Sequence, residues 1–194
     1  MRRKTFDLLM STAGLLLAVV LLVAGVVLTW ASTFVHDQVT TQLTAQKIFF
    51  PEKGSESLED PAVKPYLTKY AGQQLTTGAQ AEAYANHYIK VHLDAATGGR
   101  TYSQLSTASR ANPDDQELAG LVQLAFRGET LRGLLLNAYA FGTMATIALY
   151  AAIGAYVAAL LLLLLSLGGV WHARRTPAEV EIGVPAPRGT PVTA

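Results

Sequence analysis

From Leu8 to Trp30 the chain reads LLMSTAGLLLAVVLLVAGVVLTW, 23 residues without a charged side chain. At the helical rise such a run spans about 34 Å, enough to cross a hydrocarbon core of about 30 Å. It reads as a transmembrane helix. The rival reading is a cleaved signal peptide, because Arg2, Arg3 and Lys4 precede it. The apolar stretch of such a peptide covers only about 7–15 residues, so an uncleaved anchor is preferred. A second charge-free run extends from Leu134 to Val170. As a single helix it would measure roughly 55 Å, too long for one upright span. The sequence therefore divides it into a lipid-buried part from Met144 to Val170 and an interfacial extension from Leu134 to Thr143, with Gly142 as a flex point.

These two runs explain an unusual composition, 51% hydrophobic and 15% charged, against roughly 25% charged in a soluble domain. A net charge of +1 supplies no basic field to gather nucleic acid. Zero cysteines exclude disulfides, thiolate metal sites and a cysteine nucleophile. Arg2, Arg3 and Lys4 flank the first run and Arg174 and Arg175 the second, which by the excess of positive charge on cytoplasmic flanks puts both termini in the cytoplasm. The residues between then lie outside, with nine basic side chains against eleven acidic ones.

The expected fold is an all-α membrane protein: two transmembrane helices with an extracytoplasmic helical domain between them. Residues 1–7 form a cytoplasmic N-terminus, 8–30 the first span, 31–133 the outer domain, 134–170 the extension plus second span, and 171–194 a disordered cytoplasmic tail rich in proline. Val35, Val39 and Leu43 continue the first helix as a stalk, which should stop at Pro51. A helix capped by Asp60 with Pro61 at its first position follows. GAQAEAYANHYIKVHLDAATGG predicts an amphipathic helix with Ala81, Tyr84, Ala85, Tyr88, Val91, His92 and Ala95 on one stripe, ended by Gly98 and Gly99. A shorter helix covers Tyr102 to Ser109, and Asn112–Pro113 starts the one that leads into the second span.

Chemistry-bearing patterns are sparse. His87 and His92 are five residues apart, not the three or four that stack metal ligands on one helical face. His36 beside Asp37 has no third partner, and His172 belongs to the basic flank. The acidic groups Glu52, Glu56, Glu59, Asp60 and Asp114, Asp115, Glu117 lack calcium-loop spacing. No catalytic, cofactor or metal residue is assigned. Tyr66, Tyr70, Tyr84 and Tyr88, as two i, i+4 pairs, form with His92 a candidate ligand or partner face. In the spans, Gly14 and Ala18, Ala148 and Ala152, and the series Ala151, Ala155, Ala159 follow the small-residue spacing that lets membrane helices approach closely. Neither buried run carries an ionisable side chain, which argues against a pump or transporter.

The stretches IFFPEKGS, KPYLTKYAGQQLTTGAQAEAYANHYIKVHL and FRGETLRGLLLNAYAF, between two spans, resemble a family of small actinobacterial membrane proteins of unassigned activity. Some members carry the label aromatic ring-opening dioxygenase. The resemblance implies an integral membrane protein with an outer helical domain. Ring cleavage with a non-haem iron needs two histidines and a carboxylate, a pattern not found here, so no catalytic residue follows from it. The leading functional reading is a non-enzymatic accessory or scaffold subunit that meets the lipid bilayer and a membrane or envelope partner or a second copy. The alternative is an outer small-ligand or lipid-binding sensor; a metal-dependent oxygenase comes third.

Overall fold

The computed structural model describes residues 2–177 and Val180. All described elements are helical: α1 (Arg3–Ala45), α2 (Glu56–Glu59), α3 (Lys64–Leu67), α4 (Gly78–Tyr84), α5 (Lys90–Thr97), α6 (Tyr102–Ala111) and α7 (Gln116–Arg175). A 3-10 turn, Thr68–Tyr70, follows α3, and a π-turn, Ala85–Ile89, joins α4 to α5 without a break. Helices α1 and α7 are each long and apolar enough to cross a membrane. The expected tail is corrected at its start, because Trp171 to Arg175 complete the last turns of α7; its remainder lies almost wholly outside the described residues.

The chain divides into two compact units, one of Met1–Trp30 with Ala148–Ala194 and one of Ala31–Ile147. No linker separates the second unit from the second candidate span, since α7 contributes to both units as one uninterrupted helix. Gly142 therefore does not break the helix.

In the first unit α1 and α7 pair antiparallel. Each turns a small residue inward at every seventh position: Ser11, Ala18 and Gly25 on α1, and Ala152, Ala159, Ser166 and Ala173 on α7. Three positions after each of the first three in α1 comes a half-buried residue, Gly14, Leu21 or Leu28. In α7 Ala155, Leu162 and Gly169 do the same. A seven-residue rhythm of this kind is the seam of a left-handed coiled pair. The contact is close because the seam has almost no side chains. The Ser166 Oγ fills the notch at Gly14 and the Ser11 Oγ the notch at Gly169. Of the predicted packing residues, Ala18, Ala152 and Ala159 are buried and Gly14, Ala148 and Ala155 half-buried, while Ala151 is exposed. The spacing of four found true neighbours but not the repeat. Around the seam the outward side chains are large and apolar, including Leu16, Val20, Val23, Leu161, Leu164 and Leu165.

The second unit builds its core where α1 ends. Val39 and Leu43 of α1, Phe50, Leu58, Val63, Leu67, Leu75, Ala81, Ala85 and Leu135 form one buried cluster. The expected stop at Pro51 comes too late: α1 ends at Ala45, and Lys47 adopts a left-handed φ of 53° that turns the chain back. Residues 48–51 then lie antiparallel to 72–75, with Phe50 N–H donating to the Gln73 carbonyl and Leu75 N–H to that of Ile48, both at 2.9 Å. Asp60 caps a turn, not a helix, since its Oδ1 accepts from the Ala62 N–H at 2.8 Å, and Pro61 stays outside α3. Likewise Asn112–Pro113 does not start α7; the Asp115 carboxylate does, accepting from the Leu118 N–H at 2.9 Å. At Pro113 the chain is still turning, and a carboxylate one residue ahead of the helix satisfies a free N–H that proline could not. A second, smaller cluster of Leu105, Leu118 and Ala125 seats α6 on α7.

Candidate functional site

Helix α4 begins with a reciprocal cap. The Thr77 hydroxyl accepts from the Gln80 N–H at 3.2 Å, and the Gln80 side chain accepts from the Thr77 N–H at 3.0 Å. That fixed start places Ala81 and Ala85 in the core. The π-turn then inserts one extra residue into the helical repeat, so the inward stripe slips by one position. Leu93 and Thr97 are buried, whereas His92 and Ala95, which an uninterrupted α-helix would turn inward, are exposed. This corrects the predicted stripe. Gly98, at φ 63°, ends α5 as expected, with the Gly99 N–H returning to the Asp94 carbonyl at 2.8 Å.

The slip has consequences for the predicted tyrosine face. Tyr66 and Tyr70 do not act as a pair: Tyr66 stacks on His87 with centroids 3.6 Å apart and planes 5° from parallel. Tyr70 instead leans on Phe50 at 5.1 Å, and Tyr84 meets the same ring edge-on at 5.4 Å. From there the rings continue through Tyr84–Tyr88 at 4.8 Å and Tyr88–His92 at 4.4 Å. Four of the five predicted face residues thus join one aromatic run, and Tyr66 belongs to another. Phe50, the hub, was missed; its apolar neighbours Ile48 and Phe49 and the following Pro51 read as loop.

Tyr84, Tyr88 and His92 line a cleft of about 460 Å³, closed below by Leu93 and on the α7 side by Leu124, Gly128 and Leu131. Gly128 lets α5 approach α7 closely there, because a Cβ on it would meet the Leu93 methyls at 3.0 Å. Burial, and secondarily the neighbouring Tyr88, push the Tyr84 phenol up to about 12, so it remains a hydrogen-bond donor. The His92 Nδ1 lies 2.7 Å from the Tyr88 carbonyl oxygen. A carbonyl only accepts, so Nδ1 carries a proton and Nε2 is the ring nitrogen left for another partner. Beside the cleft, Asn86 of the π-turn links to α7: Arg132 donates to its Oδ1 at 3.1 Å, and its own amide donates to Glu82 at 2.8 Å. This polar tie holds the shifted segment against α7.

The histidines do not converge. His36 Nδ1 faces the Ser32 carbonyl at 3.0 Å, and His172 lies 3.9 Å from Asp7. Among the described residues no three His, Cys, Asp or Glu side chains gather as a metal site. A further groove of about 600 Å³ follows the helix pair of the first unit, floored by Gly14, Gly168 and Gly169. Its walls are aliphatic side chains with Ser11 and Ser166, and Asp7 and His172 also line it, whereas the α4–α7 cleft combines aromatic rings, phenols and an imidazole.

No family model, curated protein or solved structure matches the chain.

Proposed function

We propose that this chain is a two-span integral membrane protein acting as a non-enzymatic accessory or scaffold subunit. Both termini face the cytoplasm, and residues 31–133, with the helical unit they build, lie outside. The basic flanks at Arg2, Arg3, Lys4, Arg174 and Arg175 support that orientation. The apolar shell around a seam of small residues supports lipid as the surrounding solvent, because no comparable shell would survive in water.

The observation that carries the docking role is on α7. Within the unit of residues 31–147 it leaves Leu131, Leu134, Phe141 and Met144 exposed at helical spacing, Leu134 by 61% and Met144 by 62%. An apolar stripe of this kind is a surface for lipid or for another protein, and we assign its outer part, Leu131 and Leu134, to a protein partner. The occupant is a membrane or envelope component or a second copy of the chain, and membership of the small actinobacterial membrane-protein family is part of the same reading. An iron-dependent ring-opening oxygenase is disfavoured; stoichiometric iron in the purified protein would restore it.

The test is affinity purification in mild detergent at native expression, comparing the natural chain with a Leu134→Arg/Phe141→Arg variant. A stoichiometric companion lost in the variant supports docking. Recovery of the natural chain alone and monomeric overturns it. Orientation is checked by single cysteines, easily placed in a chain with none. Lys53→Cys should react with an impermeant maleimide from outside intact cells and Thr190→Cys only after lysis.

A further inference from the structure

His92 stands on a wall shared by two clefts. One is the aromatic cleft of about 460 Å³ described above. The other, about 480 Å³, is lined by Glu56, Ser57 and Asp60 together with His92. This arrangement is a product of the π-turn. In an unbroken α-helix His92 would turn inward and Leu93 outward, and the aromatic and acidic walls would not meet at an imidazole.

We propose that the double cleft binds a small arylalkylammonium: a flat aromatic body carrying a protonated amine on a short chain. The ring system belongs between Tyr88 and the leucines of α7, where tilted aromatic neighbours at 4.4–4.8 Å show how rings pack in this region. The amine belongs on the acidic side. Among the described residues neither Glu56 nor Asp60 has a cationic partner; the nearby ion pairs are Lys64–Glu59 and Lys90–Asp94. In its neutral form His92, with Nδ1 donating to the Tyr88 carbonyl, offers Nε2 as an acceptor for an ammonium N–H, and the tyrosine faces attract a cation. An anion would meet two carboxylates, and neither cleft is lined by a lysine or an arginine. The cleft volume is within the few hundred Å³ usual for small-ligand sites. The proposal stands apart from the docking role of α7, and its probes are small molecules, so either can fail alone.

Three probes with one ring and different charge decide it: tryptamine as cation, tryptophol as neutral alcohol and indole-3-acetate as anion. Binding to the full-length chain in dodecyl maltoside is measured by equilibrium dialysis near neutral pH against empty micelles. Tryptamine should saturate one site per chain with a Kd about tenfold or more below that of tryptophol, as a charge-assisted contact provides. Indole-3-acetate should not saturate. Glu56→Gln/Asp60→Asn should bring tryptamine and tryptophol to about the same affinity, with tryptophol binding retained. Ala96→Trp, at an exposed position on the rim of the aromatic cleft, should remove both while the helical circular dichroism is unchanged. Equal binding of the three probes overturns the proposal. So does tryptamine binding that survives Ala96→Trp or the loss of both carboxylates.

Discussion

The ring of Tyr156 packs directly against Gly25. A Cβ placed on Gly25 would come within 2.6 Å of one ring carbon and 2.9 Å of two others. One helical turn on, the Tyr156 hydroxyl is 3.1 Å from the Thr29 Oγ1, whose proton goes to the Gly25 carbonyl at 2.8 Å. Glycine, tyrosine and threonine thus lock α1 to α7 at one level of the seam. Gly25→Ala should destabilise the pair by about 1–3 kcal/mol, the usual cost of overpacking a close contact. Tyr156→Phe, which removes only the hydroxyl, should cost about 0.6 kcal/mol. Unfolding of the purified chain by SDS titration measures both; equal tolerance of Ala and Gly at position 25 would contradict the packing.

The one-residue slip at the π-turn makes an opposite pair of predictions for neighbouring positions. Leu93, 7% exposed, should cost about 2–5 kcal/mol when changed to alanine, as buried leucines do. His92→Ala should stay within about 0.5 kcal/mol, because the imidazole is on the surface. Thermal unfolding of the two variants in detergent reads the phase of the helix directly. An α-helix without the π-turn predicts the reverse order.

Gly78 and Gly133 should respond to alanine with opposite signs. At Gly78 a Cβ would be 3.0 Å from the Ala138 carbonyl oxygen and 3.1 Å from the Tyr139 Cα, backbone atoms that cannot swing aside. Gly78→Ala should therefore lower stability by about 1–3 kcal/mol. At Gly133, in the interior of α7, nothing lies within 4 Å. Gly133→Ala should raise stability by about 0.5–1 kcal/mol through the lost backbone entropy of glycine. Both shifts appear as changes in the melting temperature.

Tyr84 predicts an alkaline signature. Its phenol, held up at about 12 by burial and by Tyr88, keeps its proton in the folded state after the unfolded chain, near the ordinary tyrosine value of 10.0, has begun to lose one. The folded state then binds more protons, so stability falls as pH rises from 10.0 toward about 12. Below that window the residue contributes no pH dependence. Stability measured across it should fall less steeply in Tyr84→Phe than in the natural chain. Identical slopes would show that the ring is better solvated than its packing implies.

The positions of the long helices were legible because each depends on local facts. Twenty-three residues from Leu8 to Trp30 without a charge, and a run of 37 ending at Val170, leave an extended apolar helix as the one arrangement that satisfies the backbone. Thr101 and Gln104 form a capping box at the start of α6, and Gly98 closes α5, by the same short-range chemistry. The stop at Ala45 was not legible, because it depends on the strand-like pairing of 48–51 with 72–75 across more than twenty residues. That Asp115 and not Asn112–Pro113 begins α7 was not legible for a related reason: several residues can begin a helix, and the one that does is chosen by where α6 must pack on α7.

By itself the sequence determined an all-helical chain with two apolar helices of membrane-crossing length and small residues along their contact. It also identified the tyrosines and His92 as the side chains to watch. Which of them meet was set by tertiary packing. The π-turn is invisible in composition and periodicity, because a helix of ordinary residues gives up its regular hydrogen bonds only when contacts elsewhere, here Asn86 with Arg132 and Leu93 against Gly128, repay the change. That single inserted residue moves His92 from the core to the wall between two clefts, so the candidate site exists through long-range contact and not through local pattern.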